Sequence, residues 1–396
     1  MHPLRIAYFS PLPPERSGIA DYSRELLPHL ARYADLTLYT ARPERLDREL
    51  HDQFELRDLH LFPEEHRRYD LALYQMGNSE YHEPFFPLMM QYPGVVVLHD
   101  YYLHHFIAHR TIGAGSFAAY ARELGYVLGE DGMHLAQDIR LGRKPIPVYE
   151  LPLNDRILEV SLGLIVHSDF VAKKVRQQGF NLPLHVVPLI VESRPGQSRR
   201  TELNLASEDV LFASFGLITT AKQIEFALRA FKHLRQTVPN AHYLLVGETM
   251  GDANPEAVIR EMDLTNVVHY IGYVADKSSF MDWIHTADVV INLRYPTVGE
   301  TSATALRAMG AGRPIIVFDH GWYGEIPDGA AVKVPPMDQE ALLDAMVQFA
   351  KSSELRKQVG QAALRYTEDV CHPSVVAEAY IAALYANLNI YWQRYG

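Results

Sequence analysis

Short, wholly apolar runs alternate along this chain with longer segments whose apolar residues recur at helical spacing. Leu4 to Phe9 is short, apolar and followed by a Pro-rich turn (SPLPP), the pattern of a buried parallel strand. Ile19, Tyr22, Leu26, Leu27 and Leu30 then mark one face of an amphipathic helix, and Leu36 to Tyr39 reads as a second strand. This β-α-β opening predicts a doubly wound sheet. Further strands are expected at Leu71 to Gln75, Val95 to Leu98, Leu164 to Val166 and His185 to Val187. The stretch from Tyr101 to Leu158 is too long for a structureless loop, so it reads as a helical insertion over the carboxyl edge of the sheet. Near residue 192 the texture becomes polar and unpatterned (ESRPGQSRR), which marks a linker.

The α/β rhythm then restarts. Strands are expected at Val210 to Phe215, His242 to Val246, Val268 to Ile271, Val289 to Leu293 and Pro314 to Phe318. Helices are expected at Ile224 to Arg235, Ser278 to Thr286, Ser302 to Met309 and Gln339 to Ala350, with a last helical segment over Ser374 to Trp392. The predicted organisation is a first α/β domain over 1–192 with an insertion at about 101–158, a second over 200–373, and a terminal helix over 374–396. Two α/β halves place the natural ligand site in the crevice between them.

A length of 396 residues suits two or three domains, each able to bury its own core. The single cysteine, Cys371, excludes an intrachain disulfide and suits a reducing cytoplasm. The net charge of −11 argues against a general nucleic-acid binder. No apolar run approaches the ~18 residues needed to span a bilayer, and the N-terminus runs straight into a strand without a signal peptide. Peripheral membrane contact stays compatible with the sequence.

Four places carry candidate chemistry. In Asn292 to Phe318 a buried strand ends at Arg294, and Gly299-Glu300-Thr301-Ser302 opens a helix. Ser302 or Thr301 can cap that helix, its first-turn amides suit a phosphate, and Glu300 can accept hydrogen bonds from sugar hydroxyls. An ordinary capped helix with an acidic first turn fits equally well. Lys222 stands near a helix start, where the dipole disfavours a cation; an anionic ligand or a solvated surface position would each account for it. Gly18, after the first strand, lets backbone approach a ligand, or simply makes a β-to-α turn with Asp21 in the first helical turn. His99 and Asp100 follow a buried strand directly. His105 and His109 have a spacing that permits metal ligation, but no acidic third ligand is evident.

These residues together resemble the retaining glycosyltransferases of family 4, which have the GT-B fold of two Rossmann-like, doubly wound domains facing across a cleft. Ala308-Met309-Gly310-Ala311-Gly312-Arg313-Pro314 matches the downstream part of that family's signature. The signature's two acidic positions hold Gly299 and Arg307, with Glu300 one place after the first. In this the chain resembles a variant subgroup with RYPTxGETS and GWxxELPD motifs, the latter seen as Gly321-Trp322-Tyr323-Gly324-Glu325-Ile326-Pro327-Asp328. Lys222 falls on the family's diphosphate lysine, whereas its partner arginine position holds Leu217.

The resemblance implies that the second domain holds a nucleotide-sugar donor and the first a sugar-bearing acceptor. It places Gly18, Ile19, Lys222, Gly272, Tyr273, Thr301 and Ser302 at the donor, with Arg294 supplying the missing cation. It places His99 and Glu300 at the transferred sugar, Asp21 and Asp100 on the acceptor side, and the terminal helix back on the first domain. It implies no cofactor and no bound metal. The expected function is sugar transfer with retention to a glycan, lipid-linked sugar or small molecule, with polysaccharide biosynthesis as the setting. A non-catalytic sugar-nucleotide-binding module and a nucleotide-sugar epimerase on the same fold stay open as alternatives.

Overall fold

The computed structural model describes residues 3–251 and 253–395, with the side chains of 390–395 left out of the description. The chain forms two compact units. The first runs up to Ile190 and also takes in Val298–Thr301 and the chain from Pro373 onward; the second comprises Val191–Thr297 and Ser302–His372.

The first unit is built on a seven-stranded parallel sheet in the order β3-β2-β1-β4-β5-β6-β7. Its strands are β1 (Leu4–Phe9), β2 (Ala34–Thr40), β3 (Glu55–Asp58), β4 (Leu71–Met76), β5 (Val95–Leu98), β6 (Gly163–Val166) and β7 (Leu184–Val186). The central strands are buried along their length because a parallel sheet is covered on both faces, which is why they read as unbroken apolar runs. β3 escaped the sequence reading: ELRD is short, polar and half-exposed at the sheet edge, so no hydrophobic run marks it. The insertion is helical as expected, with helices over Phe117–Leu128 and Glu130–Arg140, preceded by a short helix His104–Ala108 that widens into a π turn over His109–Gly113. The terminal helix, Pro373–Tyr395, packs on the helix Gly18–Leu30, and the Tyr380 hydroxyl is bonded to that of Tyr22.

The second unit has a six-stranded parallel sheet, β10-β9-β8-β11-β12-β13. Its strands are β8 (Val210–Phe215), β9 (Ala241–Val246), β10 (Val268–Gly272), β11 (Val289–Ile291), β12 (Ile315–Phe318) and β13 (Val332–Val334). β11 is shorter than expected, because pairing ends at Ile291 and the chain leaves the sheet through Asn292. In each unit the strand order reverses beside the first strand, between β1 and β4 in one and between β8 and β11 in the other. The crevice at the carboxyl ends of such a pair is where doubly wound sheets bind ligands. Among the described residues no helix is long and apolar enough to cross a membrane.

Candidate functional site

In the second unit the switch point opens on Gly216, directly after β8, with φ of +86°. A Cβ there would lie 2.9 Å from Lys222 Nζ and 3.0 Å from Thr304 Cγ2, so only glycine fits. Lys222 is 8% exposed and donates to the Phe215 carbonyl at 2.5 Å. It is therefore not a solvated surface lysine. It sits in a short 3-10 turn, Thr220–Lys222, before the helix Ile224–Leu234, and folds back over the end of β8.

The neighbouring strand end supplies a hub that the sequence reading did not single out. Asn292, 4% exposed, follows β11 directly. Its Oδ1 accepts from Tyr323 Oη at 2.7 Å and from Ser302 Oγ at 3.3 Å, and its Nδ2 donates to Thr304 Oγ1 at 3.1 Å. Ser302 in turn caps the helix Ala303–Gly310, accepting from the Ala305 amide at 3.2 Å. Of the two candidate caps it is Ser302 that serves. The GWYGE turn thus acts through Tyr323, which is 1% exposed and fixes Asn292, and Asn292 fixes the helix start. Arg294 lies half-buried two residues beyond Asn292, and Arg307 lies half-buried within the helix.

Beyond the ends of β8, β9 and β10 three large apolar side chains are exposed. Leu217, Met250 and Tyr273 are 46%, 51% and 48% exposed, next to Gly272 with its φ of +74°. A cavity of about 410 Å3 lined by Thr249, Asn254, Glu256 and Tyr270 lies on this side of the sheet; Lys222 is not among its walls.

The segment Val298–Thr301 belongs structurally to the first unit, where the sequence reading had set it in the second domain. The Tyr102 amide donates to the Val298 carbonyl at 2.9 Å, and a Cβ on Gly299 (φ +85°) would lie 2.6 Å from Tyr101 Cβ. Within this loop Glu300 Oε2 accepts from the Val298 amide at 2.9 Å. Glu300 and Thr301 are both half-buried there.

At the switch point of the first unit, Ser17 caps the helix Gly18–Leu30 by accepting from the Ile19 amide at 3.2 Å. That amide is thereby used within the cap, while the Ile19 side chain lies against Gly77. A Cβ on Gly18 would meet nothing within 4 Å, so the backbone there is open to approach. Asp21 pairs with Arg24 at 3.0 Å on the helix surface. Asp100 Oδ2 accepts from the Asn78 amide at 2.8 Å, bracing the turn after β4.

His99 is 8% exposed, with both ring nitrogens in contact with protein atoms: Nε2 lies 2.8 Å from Gln75 Oε1, and Nδ1 lies 3.2 Å from His167 Nε2. His167 Nδ1 lies 2.8 Å from the Val187 carbonyl. Tyr22 meets both rings edge-on, at 4.8 Å and 5.5 Å between centroids. Burial drives the His99 pKa well below its ordinary value and lowers that of His167 to about 4, so both rings are neutral near pH 7.

His109 follows His105 by one α-helical turn, its amide donating to the His105 carbonyl, but His105 Nδ1 accepts from Asn78 Nδ2 at 2.9 Å. Among the described residues no three His, Cys, Asp or Glu side chains are grouped to hold a metal ion.

Two seven- and six-stranded parallel units of this kind constitute the GT-B fold. Sucrose-phosphate synthase of Thermosynechococcus elongatus is similar over 98% of this chain and 99% of its own, with a TM-score of 0.68 at 18% identity. HepE of Anabaena, solved in complex with UDP-glucose, is similar over 97% of this chain and 100% of its own, with a TM-score of 0.67 at 13% identity. WaaG, a glycosyltransferase involved in lipopolysaccharide biosynthesis, is similar over 96% and 98%, with a TM-score of 0.61 at 14% identity. Residues 208–352, the greater part of the second unit, match the family described as Glycosyl transferases group 1. No curated protein matches the chain.

Proposed function

We propose that this chain is a retaining glycosyltransferase of family 4, which moves a sugar from a nucleotide-sugar donor to a sugar-bearing or small-molecule acceptor without a bound metal. The observation that carries this reading is the cradle of the second unit: Lys222 folded over glycine beside a helix start that Asn292 and Ser302 hold in place. A lysine ammonium and unpaired first-turn amides suit a diphosphate, and this cradle falls inside the residues that match Glycosyl transferases group 1. The exposed Tyr273 and its apolar neighbours offer a face for a nucleobase.

In this reading Lys222, with Arg294 as the second cation, stabilises the charge that develops on the leaving diphosphate. Each such preorganised donor is worth about 3 kcal/mol of barrier. The departing phosphate takes the acceptor proton, so His99 and Glu300 serve to position the sugar rather than to carry protons. Thr301 and Ser302 line the donor phosphates; Asp21 and Asp100 face the acceptor. The single cysteine suits a cytoplasmic setting.

Thermal shift with UDP-, GDP- and ADP-linked sugars tests the donor class, because a ligand that binds the native state raises its stability. At least one is expected to raise the midpoint and to give transfer with the donor's anomeric configuration kept. Inversion would remove retention from the reading. Leu217 and Arg307 at two signature positions favour one second reading, a binding module: tight donor binding with neither hydrolysis nor transfer would establish it instead.

A further inference from the structure

The contacts around His99 cannot all be satisfied with the Gln75 amide pointing its oxygen at the ring. The Val187 carbonyl only accepts, so His167 must donate from Nδ1. A neutral His167 then carries its lone pair on Nε2, and His99 must donate to it from Nδ1. This leaves the lone pair of His99 on Nε2, facing Gln75 at 2.8 Å. Two acceptors would meet there, while Gln75 Nε2, buried at the other end of the amide, has no hydrogen-bond partner.

Turning the amide over resolves both conflicts, because amide oxygen and nitrogen are nearly isosteric and are assigned from their surroundings. The NH2 group then donates to His99. Charging an imidazole instead would place an uncompensated cation among buried groups: the neighbours of these rings are Tyr22, His82 and each other, with no carboxylate among the partners of their nitrogens.

We propose that Gln75 and His167 are positioning residues for His99, fixing its ring as the Nδ1–H tautomer in one hydrogen-bond relay from the Val187 carbonyl to Gln75. The assignment of a positioning task in sugar transfer rests on the reading of the preceding section; the relay itself does not. With both nitrogens used, His99 presents the carbon edge of its ring and its main chain to a ligand. It shapes the site and moves no proton.

The full chain labelled with 15N-histidine tests the relay by long-range proton–nitrogen correlation between about pH 5.5 and 8, with His99→Gln and His167→Gln assigning the two rings. Both rings are expected as neutral Nδ1–H tautomers throughout. An Nε2–H tautomer on either ring, or titration inside this range, overturns the proposal. In a transfer assay, His167→Phe keeps a ring but removes the acceptor, and is expected to lower kcat about tenfold or more with the donor KM within about twofold. His167→Gln restores an acceptor and recovers most of the rate. Should His167→Phe fail to fold, Gln75→Leu carries the same kinetic expectation. An unchanged kcat in the folded variant overturns the positioning task. Absence of any transfer by the unaltered chain would sink the proposed function instead, while the tautomers still decide the relay.

Discussion

The two units share one strand order around the first strand and put opposite chemistry at the carboxyl ends of their strands. In the first, the strand ends carry Gln75, His99 and His167, three neutral groups in hydrogen-bond contact in a row. In the second, they carry glycine, a buried lysine and an asparagine that holds a helix start. A parallel sheet delivers side chains to the same place in both; the residue chosen just beyond each apolar run decides what that place can bind. An ammonium beside capped-helix amides suits an anion, whereas a row of neutral groups offers shape and no charge.

The strongest way to break this contrast is to remove the cation. Lys222→Met keeps most of the aliphatic stem and is expected to reduce transfer about a hundredfold or more, read as kcat/KM at fixed donor. Because Lys222 is buried and donates to the Phe215 carbonyl, this variant also loses stability, on the order of 1 kcal/mol in urea titration. A surface lysine would not have shown that second loss. Arg294→Lys is the companion test: a guanidinium grips phosphate through two parallel hydrogen bonds and an ammonium cannot, so donor use is expected to fall about tenfold. Turnover unchanged in both variants would leave the second unit's cradle without its assigned ligand.

Next in size is the hub. Asn292→Leu removes the acceptor of the Tyr323 hydroxyl and loosens Ser302 and Thr304, which is expected to cost about 3 kcal/mol of the second unit's stability together with donor affinity. Tyr323→Phe deletes one bond and should cost about 1 kcal/mol. Equal effects from the two variants would mean that Asn292 acts through Tyr323 alone and does not organise the helix start.

How much of this could be read in the sequence follows from the same strand ends. The apolar runs gave away the inner strands, since burial on both faces leaves no polar position to confuse the pattern. The edge strand β3 and the short β13 carry no such run and stayed hidden. Lys222 stood out because a lysine near a helix start is a local signal, and Ser302 was legible as the cap it proves to be, before a small-residue helix. Gln75 and Asn292 were missed although each is the polar residue where an apolar strand ends, and that is the signal that would have found them. Their partners, His99 and Tyr323, lie on other elements of the chain, and no local pattern could have joined them. The grouping of Val298–Thr301 with the first unit was likewise out of reach, because it depends on Gly299 fitting against Tyr101.

Acid separates the units more gently. His82, His104 and His167, all buried in the first unit, have pKa values lowered by burial to about 4 from an unfolded value of 6.5. Each is neutral when folded and takes up a proton on unfolding below pH 6.5, so the unfolded chain binds more protons. Stability from these groups is therefore intact above about pH 7, declines as pH falls from 6.5, and levels off below about 4. Amide protection mapped at neutral and mildly acidic pH should show the first unit losing more than the second. His82→Phe should flatten the slope if its buried ring contributes as stated.

The smallest expected effect concerns a residue proposed to face the acceptor. Asp21 and Arg24 form an i,i+3 pair whose side chains are 48% and 30% exposed. Solvent screens such a pair, and holding two flexible side chains costs entropy, so Asp21→Asn should change stability by no more than about 0.5 kcal/mol. Because the fold is then left as it was, any rise in acceptor KM reports contact with the acceptor rather than loosening of the helix. The donor KM should stay within about twofold, since the cations proposed for the donor lie in the second unit. A loss confined to donor use would place Asp21 with the donor instead and would blur the division of labour between the two switch points. An unchanged acceptor KM would reduce Asp21 to half of a surface pair.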